Sequence, residues 1–252
     1  MIEARGITKR YGELLAVDNV SFTAESGDVI GFLGPNGAGK TTTMRILTGF
    51  LPASDGTAVI AGHDIFEDPL AARRAVGYLP EVPPLYPEMD VVGYLRYVAT
   101  LKDVPRSRRK ASVERAVERC GLKEVRRRVI GSLSRGYRQR VGLAQAIVHE
   151  PSVLILDEPT VGLDPIQVRE IRALIAELTS AKQGEGAHTV VLSTHILAEV
   201  EAICRRVILI HAGRKVIDSP LAELTQGGER LEDLFARVTT ADQAAVPQEG
   251  ER

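Results

Sequence analysis

The segment "VIGFLGPNGAGKTTTMRIL", residues 29–47, limits this chain more than any other. An apolar run, Val29 to Leu33, enters a stretch almost free of large side chains and leaves it as a helical pattern. Within it "GPNGAGKT" fits G-x-x-x-x-G-K-[ST], with Gly34, Gly39, Lys40 and Thr41 at the fixed positions. Missing side chains let backbone N–H groups curl around phosphate oxygens, and a helix N-terminus adds partial positive charge. The pattern therefore predicts that Gly34, Asn36, Gly37, Ala38, Gly39, Lys40, Thr41 and Thr42 hold a nucleoside triphosphate. Lys40 reaches the β- and γ-phosphates, and the Thr41 hydroxyl ligates Mg²⁺. A glycine-rich turn with an incidental lysine is the alternative; the strand before it and the helix after it count against that.

The rest of the chain repeats the strand-and-helix alternation. "AVGYLP", "SVLILDEP", "HTVVLSTH" and "RRVILIHAG" read as strands, with a helical "ILAEVEAICRR" between the last two. Such alternation predicts an α/β fold with a mainly parallel sheet covered by helices. Residues 2–33, rich in strand and turn signals, predict a small antiparallel sheet at the edge. Residues 91–150 hold no strand pattern and read as an inserted helical subdomain. The expected organisation is a core of residues 1–90 and 151–220, the helical part 91–150, and a C-terminal helical segment with a frayed tail over 221–252.

Composition narrows the function classes. The 252 residues carry a formal charge of −1, so no global basic field points to nucleic acid. No apolar run approaches the ~18 residues of a membrane span, and the first residues lack a secretory h-region. Cys120 and Cys204 lack metal-ligand spacing. A cytoplasmic protein is expected, with any membrane role arising through a partner. Charge is uneven: Lys102–Arg128 holds eleven Lys/Arg against four Asp/Glu. These residues read as solvated helix faces, with anionic lipid or an acidic partner as the sharper alternative.

In "VLILDEP", Asp157 and Glu158 end a buried strand, where a carboxylate is costly without a cation or donors. Asp157 is placed to hold Mg²⁺, and Glu158 to orient and deprotonate an attacking water. An acid pair capping the turn before Pro159 is the plain alternative. A third segment, "LSRGYRQRVGLAQAIVHEP", ends shortly before these acids. Here the chain resembles the ATP-binding subunits of ABC transporters, over nearly all of residues 1–225. "LSRGY" stands in the place of that family's LSGGQ signature. "VGLDP" (Val161 to Pro165) is similar to its D-loop and "STH", ending at His195, to its switch-histidine motif. Tyr11 in "KRYG" sits where the family keeps an aromatic that stacks on adenine. The likeness is to subunits with a separately encoded permease, often exporters.

The resemblance implies a P-loop ATPase. Two copies, or one copy and a paralogous subunit, dock head to tail around two ATP–Mg²⁺ and drive an integral membrane permease from the inner face of the cell membrane. Ser134 and Gly136 of one chain then contact the γ-phosphate held by the other, His195 senses that phosphate, and Asp164 links the two sites.

The sequence departs from the family in two places. Arg135 and Tyr137 replace the first glycine and the glutamine of the signature, and Arg135 is expected to point to solvent. Glu81 stands where many members carry a Mg²⁺-sensing glutamine, and is expected to touch Mg²⁺ or its water shell. The loop after it, stiffened by Pro83, Pro84 and Pro87 and displaying Leu85 and Tyr86, reads as a permease dock or an ordinary connector. Rival ATPases acting on ribosomes or DNA carry two units, coiled coils or zinc modules, none of which appears between Lys40 and Asp157. A subunit that binds ATP without turnover fits poorly with intact Asp157, Glu158 and His195, and a small-molecule kinase leaves the signature segment unexplained.

Overall fold

The computed structural model describes residues 1–179, 188–225 and 230–241. In chain order the strands and helices are β1 (Ile2–Tyr11), β2 (Leu14–Ala24), β3 (Val29–Leu33), α1 (Lys40–Leu47), β4 (Asp55–Ile60), β5 (His63–Asp64), α2 (Pro69–Ala75) and β6 (Val76–Leu79). There follow α3 (Val91–Leu101), α4 (Arg106–Arg119), α5 (Arg135–Ile147), β7 (Val153–Asp157), α6 (Pro165–Thr179) and β8 (Thr189–Thr194). The chain continues through α7 (Leu197–Ile203), β9 (Arg206–His211), β10 (Arg214–Pro220), α8 (Leu221–Leu224) and α9 (Leu231–Ala241). Residues 242–252, most of the tail expected to fray, lie outside the described residues.

Two sheets form. The larger has the order β10-β9-β3-β8-β7-β6, parallel except for β10, which runs back along β9. The smaller is antiparallel, in the order β2-β1-β4-β5. The antiparallel part is thus not confined to residues 2–33. It recruits β4 and β5 from beyond the phosphate-type loop, while β3 belongs to the parallel sheet. The reason is register: Ile2 to Arg5 pair with Thr57 to Ile60, a match between distant segments that local pattern cannot reveal.

β3, β7 and β8 are buried along their whole length. Their side chains alternate between two cores. Val29, Leu33, Leu154, Leu156, Val190 and Leu192 face the helical side. Ile30, Phe32, Val153, Ile155 and Val191 pack with the antiparallel sheet and α1. Burial on both faces is why these strands read as unbroken apolar runs. Between residues 91 and 150 the helices α3, α4 and α5 pack on the first core, and the only pairing of strand type is an isolated bridge, Asp90 to Val129. Their starts are chemically marked: Asp90 caps α3 through Gly93 N at 2.9 Å, and Ser134 caps α5 through Tyr137 N at 3.3 Å. Part of the basic run is neutralised by acids, in the exposed pairs Arg115–Glu150, Lys123–Glu118 and Arg126–Glu114.

Candidate active site

The strand order sets the carboxyl ends of β3, β8 and β7 side by side, the edge where open α/β sheets gather ligands. Leu33 pairs with Thr194, and Asp157 with Ser193. After Leu33 the chain turns through the glycine loop. Gly37 and Gly39 take the left-handed region, φ 81° and 101°. A side chain at Gly34 would place Cβ 2.3 Å from the Ile210 carbonyl, and one at Gly39 would meet the Ala16 carbonyl at 2.5 Å. The loop is therefore wedged between the β9–β10 turn and β2, which only glycine permits at these positions.

Lys40, at the first turn of α1, is buried and donates from Nζ to the Gly34 and Pro35 carbonyls at 2.8 and 3.2 Å. Its ammonium stands 3.5 Å from Glu158 Oε1. Asp157 is fully buried. Its Oδ1 accepts from Ser193 Oγ at 2.8 Å and Thr41 Oγ1 at 3.3 Å, while Oδ2, also buried, has no hydrogen-bond partner. Burial pushes the Asp157 carboxyl up, the two hydroxyl bonds hold it down, and the charges of Glu158 and Glu81 push it up again. Glu158 has a left-handed backbone, φ 48°, and its N–H bonds the Ser193 carbonyl at 2.9 Å. His195 Nδ1 lies 3.0 Å from each Glu158 oxygen.

These groups open on one cavity of about 490 Å³, lined by Tyr11, Asn36, Gly37, Gly39, Lys40, Thr41, Thr42, Glu81, Glu158 and His195 among others. Tyr11 sits half exposed at the rim, with Lys9 Nζ 5.5 Å from its ring centroid. Leu14 and Ala16 also line the cavity and carry no signal in the sequence, and Val161, the first residue of "VGLDP", lines it too. Ser193 was likewise passed over; the signal was a hydroxyl inside the apolar strand "TVVLST", in register with Asp157.

The family description "ABC transporter" matches residues 17–161. The bacitracin transport ATP-binding protein BcrA of Bacillus licheniformis is 36% identical over 224 residues, 89% of this chain and 71% of that one. The chain belongs to the ABC transporter family. The lantibiotic transport ATP-binding protein SrtF of Streptococcus pyogenes is 34% identical over 235 residues, 93% of this chain and 96% of its own. A solved structure of an ATP-binding subunit of an ABC transporter superposes with a TM-score of 0.83 at 27% identity, covering 94% of this chain and 99% of that one. This ABC protein is an ATP-binding subunit and an ATPase. Among its described residues no helix is long and apolar enough to cross a membrane.

The remaining expected residues lie elsewhere in the ABC subunit. Ser134 and Gly136, at the N-terminus of α5, are not among the residues lining the cavity. Asp164 caps α6, accepting from Ile166 N and Gln167 N at 3.0 and 2.9 Å. Arg135 is exposed, as expected, and its tip is tied to the chain. Its Nη2 donates to the Val161 carbonyl at 2.8 Å, and its guanidinium lies over Gly162, where an added Cβ would meet it at 2.2 Å. A flat cation needs no room beyond what a glycine leaves, so Arg135 lies along the "VGLDP" turn. Gln139 Nε2 joins the same turn region through the Pro159 carbonyl at 2.8 Å. In the proline-stiffened loop Tyr86 is exposed, but Leu85 is half-buried against the helical core.

Proposed function

We propose that this chain hydrolyses ATP–Mg²⁺ as one half of a head-to-tail pair beneath a membrane permease, and that the transporter exports its cargo. One observation carries the reading. Lys40, Thr41, Glu158 and His195 line one cavity, with Asp157 buried behind Thr41, while Ser134 and Gly136 stand at a helix start outside it. A second copy, or a paralogue, bringing its own Ser134 and Gly136 would complete the phosphate cage. The chain then divides into an ATPase core of residues 1–90 and 151–220, a signature-bearing helical part of 91–150, and a C-terminal appendage of 221–252.

In the mechanism, Tyr11 stacks the adenine and the loop from Gly34 to Thr42 receives the phosphates through backbone N–H groups. The Mg²⁺ site fits the residues present: a buried Asp157 oxygen lacks a partner, and the Thr41 hydroxyl stands beside its twin. Among the described residues no group of three or more His, Cys, Asp or Glu could hold a metal alone. Thr41 and Asp157 would hold Mg²⁺, whose other ligands would be phosphate and water, and Glu81, which lines the same cavity, would stand near that shell. Bound there, it neutralises phosphate charge. Glu158 orients and deprotonates water. Its left-handed backbone turns the carboxylate from the strand toward Lys40 and His195. With Nδ1 of His195 turned to Glu158, its Nε2 is left to face the γ-phosphate. Asp164, on the D-loop, links the two sites, and nucleic acid has no part. The chain works at the cytoplasmic face, held there by its permease. Export is supported by the relatives' own descriptions as bacitracin and lantibiotic transport proteins.

Glu158→Gln is the first test. It is expected to bind ATP, to lose turnover by at least about a hundredfold, and to accumulate as a dimer on size exclusion with ATP. Wild-type turnover in this variant would move the base elsewhere; a monomer in saturating ATP would remove the head-to-tail pair. Purification of tagged chain from gently solubilised membranes should bring a stoichiometric multi-span protein. Recovery only with ribosomes or DNA-repair proteins would end the transport reading.

A further inference from the structure

Glu158 and His195 come from different strands, so the gap between the two loops that carry them has to be held. Behind the pair lies Glu199 on α7, only 1% exposed and used by no step above. One of its oxygens accepts from Thr160 Oγ1, and the other from Thr194 Oγ1 at 2.8 Å. Thr160 follows Glu158 by two positions; Thr194 directly precedes His195. Thr194 Oγ1 also accepts from Ile196 N at 3.1 Å, which turns the chain into α7. Arg172 Nη2, on α6, stands 3.8 Å from Glu199 Oε1 and supplies the countercharge.

A buried carboxylate is costly unless donors surround it. Here the donors are two buried hydroxyls, one on each of the loops in question. Neither threonine could be satisfied as well by an apolar side chain at position 199. We propose that Glu199 is a positioning residue for ATP hydrolysis: a buried carboxylate strap that ties the turn after Glu158 to the strand end before His195 and so fixes their pairing. The inference rests on the reading that Glu158 and His195 act on ATP. A sequence signal was present: an acid four residues after His195, on the apolar side of "ILAEVEAIC".

The test compares Glu199→Ala and Glu199→Gln in the full chain, by steady-state ATPase, ATP affinity and thermal unfolding. Glu199→Ala is expected to lower kcat by roughly tenfold to a hundredfold, the scale of a small misplacement. ATP affinity should stay within about twofold. The pH–rate profile should move, because it reports the Glu158–His195 pairing. Glu199→Gln, which keeps one acceptor and the volume, should recover part of the rate. A purely structural residue would change the melting temperature and the folded fraction, leaving kcat per folded site and the pH profile in place. Should Glu199→Ala fail to fold, Glu199→Gln decides: a kcat within about twofold of wild type and an unmoved pH profile overturn the proposal. Glu158→Gln run in parallel separates the failures. If it is inactive while the Glu199 variants match wild type, the strap falls and the hydrolysis reading stands. If Glu158→Gln turns over normally, both fall.

Discussion

The cavity at the sheet edge and the start of α5 are built in opposite ways. Around the cavity the buried charged groups are engaged with other groups of the same site, apart from one Asp157 oxygen: Lys40 with loop carbonyls, Asp157 with Thr41 and Ser193, Glu158 with His195. At the start of α5 there is a capped helix, a serine and a small residue, neither of which lines that cavity. One region is an assembled device; the other is a fitting. Under the proposed function, the difference teaches that the chain carries both halves of a composite site and needs a partner to join them. From α5, Arg135 reaches the cavity wall through the Val161 carbonyl, and Gln139 bonds the nearby Pro159 carbonyl.

The largest effect should come from separating the two regions genetically. Lys40→Ala and Ser134→Arg are each expected to abolish turnover, the first by losing phosphate binding, the second with ATP binding intact. Mixed together they should regain activity, because a mixed pair contains one site whose two halves are unaltered. No recovery on mixing, with both proteins folded, would mean that the α5 start does not serve a partner's site. An intermediate effect belongs to Asp157. Its carboxylate is buried with one orphaned oxygen, and burial raises its pKa, so the charged form is disfavoured in the folded chain. Because the folded pKa lies above the ordinary value, this group's contribution to stability falls as pH rises through that window. Asp157→Asn should therefore raise the melting temperature near neutral pH, by roughly 1–2 kcal/mol of stability, while removing ATP hydrolysis. A lower melting temperature in calorimetry would show that the carboxylate is fully compensated without a cation. The smallest effect is expected at the bridge: Arg135→Ala should speed amide exchange at Gly162, Leu163 and Asp164 and cost at most about 1 kcal/mol of global stability. Unchanged exchange there would mean the guanidinium only rests on the turn.

Much of this was legible in the sequence, and the limit is physical. The glycine loop declares itself because backbone geometry admits few residues at Gly34 and Gly39. Asp157 and Glu158 show because carboxylates rarely end an apolar run. β4, β5 and β10 were missed: short or half-exposed strands show little local pattern and exist through pairing with distant partners. Leu85 was taken as exposed, since a proline-rich loop gives no sign of the core it leans on. Arg135 is exposed as expected, but its tie to the chain is illegible for a related reason. Its partner is a backbone carbonyl at Val161, and main-chain acceptors leave no mark in composition.

The wedged glycine loop has a mechanical consequence. Gly34 against Ile210, Gly39 against Ala16, and the bonds Gly213 N to Ala38 O and Asp18 N to Gly213 O, at 3.1 and 2.9 Å, rivet the two sheets together through the cradle itself. Shear between the sheets would tear the very surface that grips phosphate. Under the proposed function, motion would then fall at the connectors flanking the three-helix region, and α3, α4 and α5 would carry the load while the riveted body stays stiff.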